Sequence, residues 1–92
     1  MTQEYDHLLK CFDKAIEDKQ SGRFAKDNVK QIYDAAHKVF DGEINLDQKQ
    51  IMQVRDKWVK LAEGHIDKGR AMKKLQGTSR AEAIRSVLES ML

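Results

Sequence analysis

Apolar residues recur at helical spacing in four stretches of this chain, which has 92 residues and no proline. Within each stretch they follow one another at intervals of three or four, which places them on one face of a helix. The breaks between the stretches fall at Gly22, Gly42 and Gly77. Glycine readily takes the left-handed conformation with which many helices end. The pattern therefore predicts an all-α protein, a compact four-helix bundle that forms a single domain over residues 1–92.

The first predicted helix covers about residues 2–20, and the second covers about residues 24–40. Thr2 is the predicted N-cap of the first helix, because its hydroxyl can accept a hydrogen bond from a free N–H group of the first turn. Asp27 is an alternative start for the second helix. The apolar stripes are Tyr5, Leu8, Leu9, Phe12, Ala15 and Ile16 in the first helix, and Val29, Ile32, Tyr33, Ala36, Val39 and Phe40 in the second.

The third predicted helix is long and covers about residues 46–76. Asn45 is its predicted N-cap, with Gln48 three positions later completing a capping box. Gly64 and Gly69 weaken the second half, because a glycine inside a helix costs about 1 kcal/mol relative to alanine. The helix is therefore either continuous to its end or broken between these two glycines.

Apolar residues cover about half the circumference of this third helix, which is wider than a single packing stripe. One set comprises Ile51, Val54, Trp58, Leu61, His65 and Met72, and the adjoining set comprises Met52, Val59, Ala62 and Ile66. Such a helix is either central in the core or exposes one face to a partner. On the second interpretation, Met52, Val59 and Ile66 are the predicted contact residues for a protein partner.

The fourth predicted helix covers about residues 79–91, and Ser79 with Glu82 forms its predicted capping box. Its apolar stripe consists of Ala81, Ile84, Val87, Leu88 and Met91. Residues 77–88 read GTSRAEAIRSVL.

Residues 77–92, about a sixth of the chain, resemble the second helix of ribbon-helix-helix DNA-binding proteins, which opens with a Gly/Ser-Arg-x-Glu-Ala-Ile/Leu-Arg sequence. In that family the N-terminus of this helix contacts a phosphate of DNA, so the resemblance implies that role for Ser79 and Arg80. A strand from each protomer forms the ribbon of that family. Residues 43–46 are the candidate strand in this sequence, and they contain no basic residue.

Charge is distributed unevenly along the chain, although the net charge is only +2. Residues 1–54 contain eight Lys or Arg and ten Asp or Glu, whereas residues 55–85 contain nine Lys or Arg and four Asp or Glu. The C-terminal half is therefore either a solvated helix surface or a contact for an anionic partner, nucleic acid or an acidic protein. The predicted contact residues are Arg55, Lys68, Arg70, Lys73, Lys74, Ser79, Arg80 and Arg85.

The sequence predicts no catalytic residue, no cofactor and no metal site. His7 and Cys11 lie four residues apart and share a helix face, but a stable zinc site needs three or four ligands. A single cysteine cannot form a disulfide within the chain, and no apolar run approaches the roughly 20 residues that span a bilayer. These features predict a cytoplasmic protein that does not contact membranes.

Two functions are compatible with this sequence. The first is a non-catalytic protein-binding module, an inhibitor, immunity or adaptor protein of bacterial or phage kind that presents a helix face to a protein partner. The alternative is a nucleic-acid-binding regulator that uses the basic C-terminal half, as the ribbon-helix-helix resemblance implies. A homodimer formed through the wide apolar stripe of the third helix is compatible with either.

Overall fold

The computed structural model describes residues 3–42 and 44–92, and these residues form helices and no strand. The helices are α1 (Gln3–Gln20), α2 (Lys26–Phe40), α3 (Gln48–Ala62), α4 (Lys68–Lys73) and α5 (Arg80–Ser90). The prediction of an all-α protein is confirmed. The predicted third helix is two helices, so the described residues contain five helices, not four. The predicted N-cap Thr2 lies outside the described residues.

The long third helix is broken between Ala62 and Lys68, so a continuous helix to residue 76 is wrong. Gly64 adopts a left-handed conformation with φ of +83°, which stops the helix. Asp67 then starts α4, because its carboxylate accepts a hydrogen bond of 2.8 Å from the backbone N–H of Arg70. The break covers residues 63–67 and overlaps the interval 64–69 that the two glycines had indicated.

The start of α3 is set by a capping box two residues later than predicted. The carboxylate of Asp47 accepts a 2.8 Å hydrogen bond from the Gln50 backbone N–H, and the Gln50 side chain accepts a 3.0 Å hydrogen bond from the Asp47 N–H. The predicted box of Asn45 and Gln48 is therefore wrong. Both pairs have the same three-residue spacing, and the carboxylate of Asp47 is the acceptor that the first turn uses.

The start of α2 lies at Lys26, so the alternative start at Asp27 is wrong. Ala25 is the N-cap, and its backbone N–H donates a 2.8 Å hydrogen bond to the side chain of Asn28. The same side chain donates a 2.8 Å hydrogen bond to the buried carboxylate of Asp18 near the end of α1. One amide therefore fixes the start of α2 and joins it to α1.

Contacts between side chains define the directions of the longer helices. Helices α1 and α3 run parallel, because successive residues along both are paired: Tyr5 with Gln53, Asp13 with Lys57, and Lys19 with the backbone carbonyl of Leu61. Helices α2 and α5 run antiparallel, because Phe40 contacts Arg80 whereas Tyr33 contacts Glu82 and Arg85. Helix α1 also packs on α2, and α3 packs on α4.

Trp58 lies in the centre of the core and is fully buried. Its ring is tilted by 50° against that of Phe12, with 6.4 Å between the centroids, and its Nε1–H donates a 2.8 Å hydrogen bond to the backbone carbonyl of Ala71 in α4. The other largest fully buried side chains are Tyr5, Leu8, Ile32, Val39, Val54, Leu61, Ile84 and Leu88. These residues confirm the stripes predicted for α1, α2 and α5, and each apolar side chain of this size contributes about 1.5–3 kcal/mol on burial.

The described residues have a Cα radius of gyration of 12.0 Å, close to the value of about 12 Å expected for a compact chain of this length. None of their helices combines the length and the apolar character that crossing a membrane requires.

Candidate functional site

The three predicted protein-contact residues do not form one helical face. The side chain of Met52 is 44% exposed on α3, whereas Val59 and Ile66 are half-buried and pack against the core. Ile66 lies beyond the end of α3 at Ala62, so its position no longer follows the helical period of the other two. Of the predicted set, Met52 is the residue that offers a large apolar surface to solvent.

A segment of four cations lies on and next to α4, and we call it the basic segment: Lys68, Arg70, Lys73 and Lys74. All four side chains are exposed, and within residues 3–42 and 44–92 none forms an ion pair or a side-chain hydrogen bond. Arg55, half-buried on α3, likewise has no acidic partner in that part of the chain. The nearest acidic side chain in the sequence, Asp67, caps α4. The basic segment therefore keeps its charge available to an anion.

Arg85 is held by acidic neighbours, unlike the basic segment. Its guanidinium lies 2.5 Å from the Glu82 carboxylate and 3.4 Å from that of Glu89, and it stacks 4.4 Å from the ring centroid of Tyr33. The Tyr33 hydroxyl donates a 2.7 Å hydrogen bond to Glu82, and this bond raises the pKa of the phenol. A ligand anion would have to compete with two carboxylates for Arg85, which makes it the weakest of the predicted anion contacts.

The predicted capping box of Ser79 and Glu82 does not form. Ser79 adopts a left-handed conformation with φ of +60°, and its side chain makes no capping hydrogen bond. The Glu82 carboxylate is engaged by Tyr33 and Arg85 instead. The Glu82 side chain therefore binds Tyr33 and Arg85 and not the start of the helix, and the N-terminus of α5 lacks a side-chain cap.

Arg80 follows directly and is fixed in orientation by two contacts. Its Nε–H donates a 3.1 Å hydrogen bond to the backbone carbonyl of Gly77, and its guanidinium carbon lies 5.4 Å from the ring centroid of Phe40. The two terminal nitrogens of the guanidinium have no acceptor among the residues that the structure describes. Arg80 therefore presents the end of its guanidinium in a fixed position.

Beside Arg80 lies a groove of about 320 Å³, which we call the α2–α3 groove. Its apolar lining includes Phe40, Ile44, Leu46 and Ile51, and Arg80 stands at its edge. Ile51 is 41% exposed although it belongs to the predicted core stripe. Sequence reasoning did not find this groove; the available signal was a pair of apolar residues, Ile44 and Leu46, in a connection outside every helical stripe.

Two of the histidines lie beside other side chains that can carry chemistry, Cys11 and Ser90. The Cys11 sulfur lies 3.6 Å from Nε2 of His7, and burial raises the pKa of the Cys11 thiol, which disfavours the nucleophilic thiolate. His65 Nε2 lies 2.7 Å from the Ser90 hydroxyl, whose own hydrogen is donated to the Val87 carbonyl. In the part of the chain that the structure describes, no three His, Cys, Asp or Glu side chains lie close enough together to hold a metal.

No protein-family model matches this chain, and neither the curated proteins nor the solved structures include one with significant similarity to it. Residues 44–46 of the candidate ribbon form no strand, and Glu43 lies outside the described residues. The ribbon-helix-helix resemblance stays a prediction. The candidate site therefore rests on the geometry of Met52, the α2–α3 groove and the basic segment.

Proposed function

We propose that this chain is a small non-catalytic protein-binding module of the inhibitor, immunity or adaptor type, built as a four-helix bundle with α4 as a short accessory helix. The observation that supports this proposal is the pair of adjacent large apolar side chains on α3. Ile51 and Met52 are 41% and 44% exposed, on a helix whose opposite face is packed in the core. Large exposed apolar side chains beside a groove are typical of a protein-contact surface, and methionine adapts readily to a partner's shape.

Affinity capture with the immobilised chain and an extract of its source cells tests this function. We expect Met52→Asp to lose the partner, because a buried unpaired carboxylate is costly in an apolar interface. The matched control is Gln31→Asp, which makes the same change of charge at an exposed position of α2. Both variants should keep the far-UV circular dichroism of the parent. Capture of no specific partner, or equal capture by both variants, would contradict the proposal.

The second candidate function is nucleic-acid binding, which the basic segment favours. Four exposed cations within seven residues can contact successive phosphates, and each phosphate neutralised on duplex DNA adds about 0.9 to the slope of log affinity against log salt. The test is fluorescence anisotropy of a labelled random duplex, titrated from about 50 to 300 mM salt.

Two charge-reversed double variants distinguish duplex binding through the basic segment from attraction of the duplex by the net charge of the protein. We expect Lys73→Glu with Lys74→Glu to abolish duplex binding. Lys26→Glu with Lys30→Glu, at exposed positions of α2 that have no ion pair among the described residues, should retain it. Equal loss in both would indicate net charge alone, and no binding at the lowest salt would remove this candidate.

A further inference from the structure

We propose that the α2–α3 groove binds a segment of a partner protein in which a large apolar side chain is flanked by carboxylates. This inference rests on the proposed protein-binding function and names the chemistry of the partner. The groove takes the apolar side chain, and Arg80 takes a neighbouring carboxylate.

The apolar part of this recognition is provided by the lining of the groove. Phe40, Ile44, Leu46 and Ile51 line one part of a space of about 320 Å³, and polar residues such as Asn45 and Thr78 line the rest. The space is large enough for one leucine or phenylalanine side chain. Met52, the next residue of α3, also exposes its side chain outside the groove. A surface that extends beyond the groove suits a length of polypeptide, because further side chains can pack outside it.

The charged part of this recognition is provided by Arg80, whose side chain is preorganised by two contacts within the chain. Its Nε–H donates a hydrogen bond to the Gly77 carbonyl and its guanidinium carbon lies 5.4 Å from the Phe40 ring centroid, so part of its side-chain entropy is lost before binding. Its two terminal nitrogens, which have no acceptor in the described part of the chain, match the two oxygens of a carboxylate. Leucine or phenylalanine beside aspartate or glutamate satisfies both parts of the groove.

Charged residues on the lining and next to it in the sequence bear on the choice of partner. Arg70, Lys73 and Lys74 precede the groove-lining residues 77–80 in the chain and have no acidic partner among the described residues. Asp41 is the acidic side chain on the described lining, and its Oδ2 lies 2.6 Å from Nδ1 of His37. Among the charged groups on the described lining, the terminal nitrogens of Arg80 have no partner there, and they favour a carboxylate over a cation.

Amide chemical-shift mapping on the ¹⁵N-labelled full chain tests the inference with synthetic peptides. The probe is acetyl-Glu-Glu-Leu-Glu-Glu-amide, added to about 2 mM because an isolated short peptide binds weakly. One comparison peptide has lysine in place of every glutamate, and the other has serine in place of leucine. We expect the probe to shift the amides of Ile44, Leu46, Ile51 and Arg80, and both comparison peptides to shift them about tenfold less.

Arg80→Gln tests the role of the guanidinium, and Arg55→Gln is its matched control at a half-buried position without an acidic partner among the described residues. We expect about a tenfold loss of peptide affinity for Arg80→Gln alone. Absence of shifts at the groove amides would overturn the inference, as would shifts confined to residues 68–74, or equal binding of the serine peptide. Displacement of the peptide from the groove by duplex DNA would assign the groove to nucleic acid, and self-association in light scattering would assign it to a second copy.

The capture experiment separates failure of this inference from failure of the proposed function. If Met52→Asp loses the captured partner but Arg80→Gln retains it fully, protein binding stands and the groove inference is wrong. If the parent chain captures no partner, the proposed function itself fails.

Discussion

At the scale of single residues, Asn28 joins two helices with one side chain. It accepts a hydrogen bond from the Ala25 N–H and donates one to Asp18, and it is only 7% exposed. We expect Asn28→Ala to lower the free energy of unfolding by about 1–2 kcal/mol, because a buried carboxylate loses its donor. Urea titration measures the change. Gln31→Ala, at an exposed position of the same helix, should stay within about 0.5 kcal/mol, and equal effects would contradict this role of Asn28.

The Asp18 carboxylate makes the stability of the fold dependent on acid pH. The hydrogen bond from Asn28 lowers the pKa of Asp18, and Lys14 and Arg23 lower it further, against the opposing effect of burial. The unfolded chain therefore binds a proton at higher pH than the folded chain does. The stabilisation is present above the ordinary aspartate pKa of about 3.9 and is lost as pH falls through the lower folded-state pKa.

Urea midpoints of the parent chain and of Asp18→Asn, measured between about pH 2.5 and pH 6, test this dependence. We expect the midpoint of the parent to fall more steeply in acid than that of the variant, because the variant has no proton to take up at residue 18. Other carboxylates contribute equally to both proteins. Parallel curves would show that Asp18 has no lowered pKa.

At the scale of the helices, two glycines differ in whether their surroundings leave room for a Cβ atom. A Cβ atom on Gly42, just after α2, would overlap the backbone carbonyl oxygen of Lys38, whereas one on Gly69 in α4 would meet only a side-chain oxygen of Asp67, at 3.5 Å. We expect Gly42→Ala to destabilise by about 2 kcal/mol or more, because backbone must move. Gly69→Ala should range from no change to a gain of about 1 kcal/mol, because alanine favours the helix. Thermal unfolding compares them, and destabilisation of both by the same amount would contradict the argument.

Helix existence could be predicted from the sequence because the core stripes are periodic, but the ends of the helices could not. In the sequence, Ile66 and Met72 keep the apolar spacing of α3 across the break, although the helix itself ends at Ala62, so spacing alone predicts one helix where there are two. Asp67 was an available signal for the second start. Asn45 and Asp47 each offer a capping box of the same spacing, and the carboxylate of Asp47 is the acceptor that the first turn uses. Ser79 makes no capping hydrogen bond, because its backbone is left-handed rather than extended, and Glu82 has partners on α2 and α5 instead.

At the scale of the whole molecule, the uneven distribution of charge could be predicted from the sequence. Which basic side chains are free of acidic partners could not. Arg85 and Lys68 carry the same charge. Arg85 forms ion pairs with two glutamates, whereas Lys68 has no acidic partner in the described residues. The α2–α3 groove was also not predicted, because its lining comes from α2, α3, the start of α5, the α2–α3 connection and the α4–α5 connection. Residues distant in sequence form a site only when the fold brings them together.

The arrangement of the core predicts that the whole chain unfolds in one step. Trp58, the only tryptophan, is fully buried against Phe12 of α1 and bonded to α4, while α1 packs on α2 and α2 packs on α5. None of the four longer helices can unfold alone without exposing this shared core to water, so unfolding should be cooperative. We expect urea curves from tryptophan fluorescence, which reports on the α1–α3–α4 junction, to coincide with those from far-UV circular dichroism, which reports on all helices. A fluorescence midpoint below the dichroism midpoint would instead identify α3 and α4 as a separately unfolding unit.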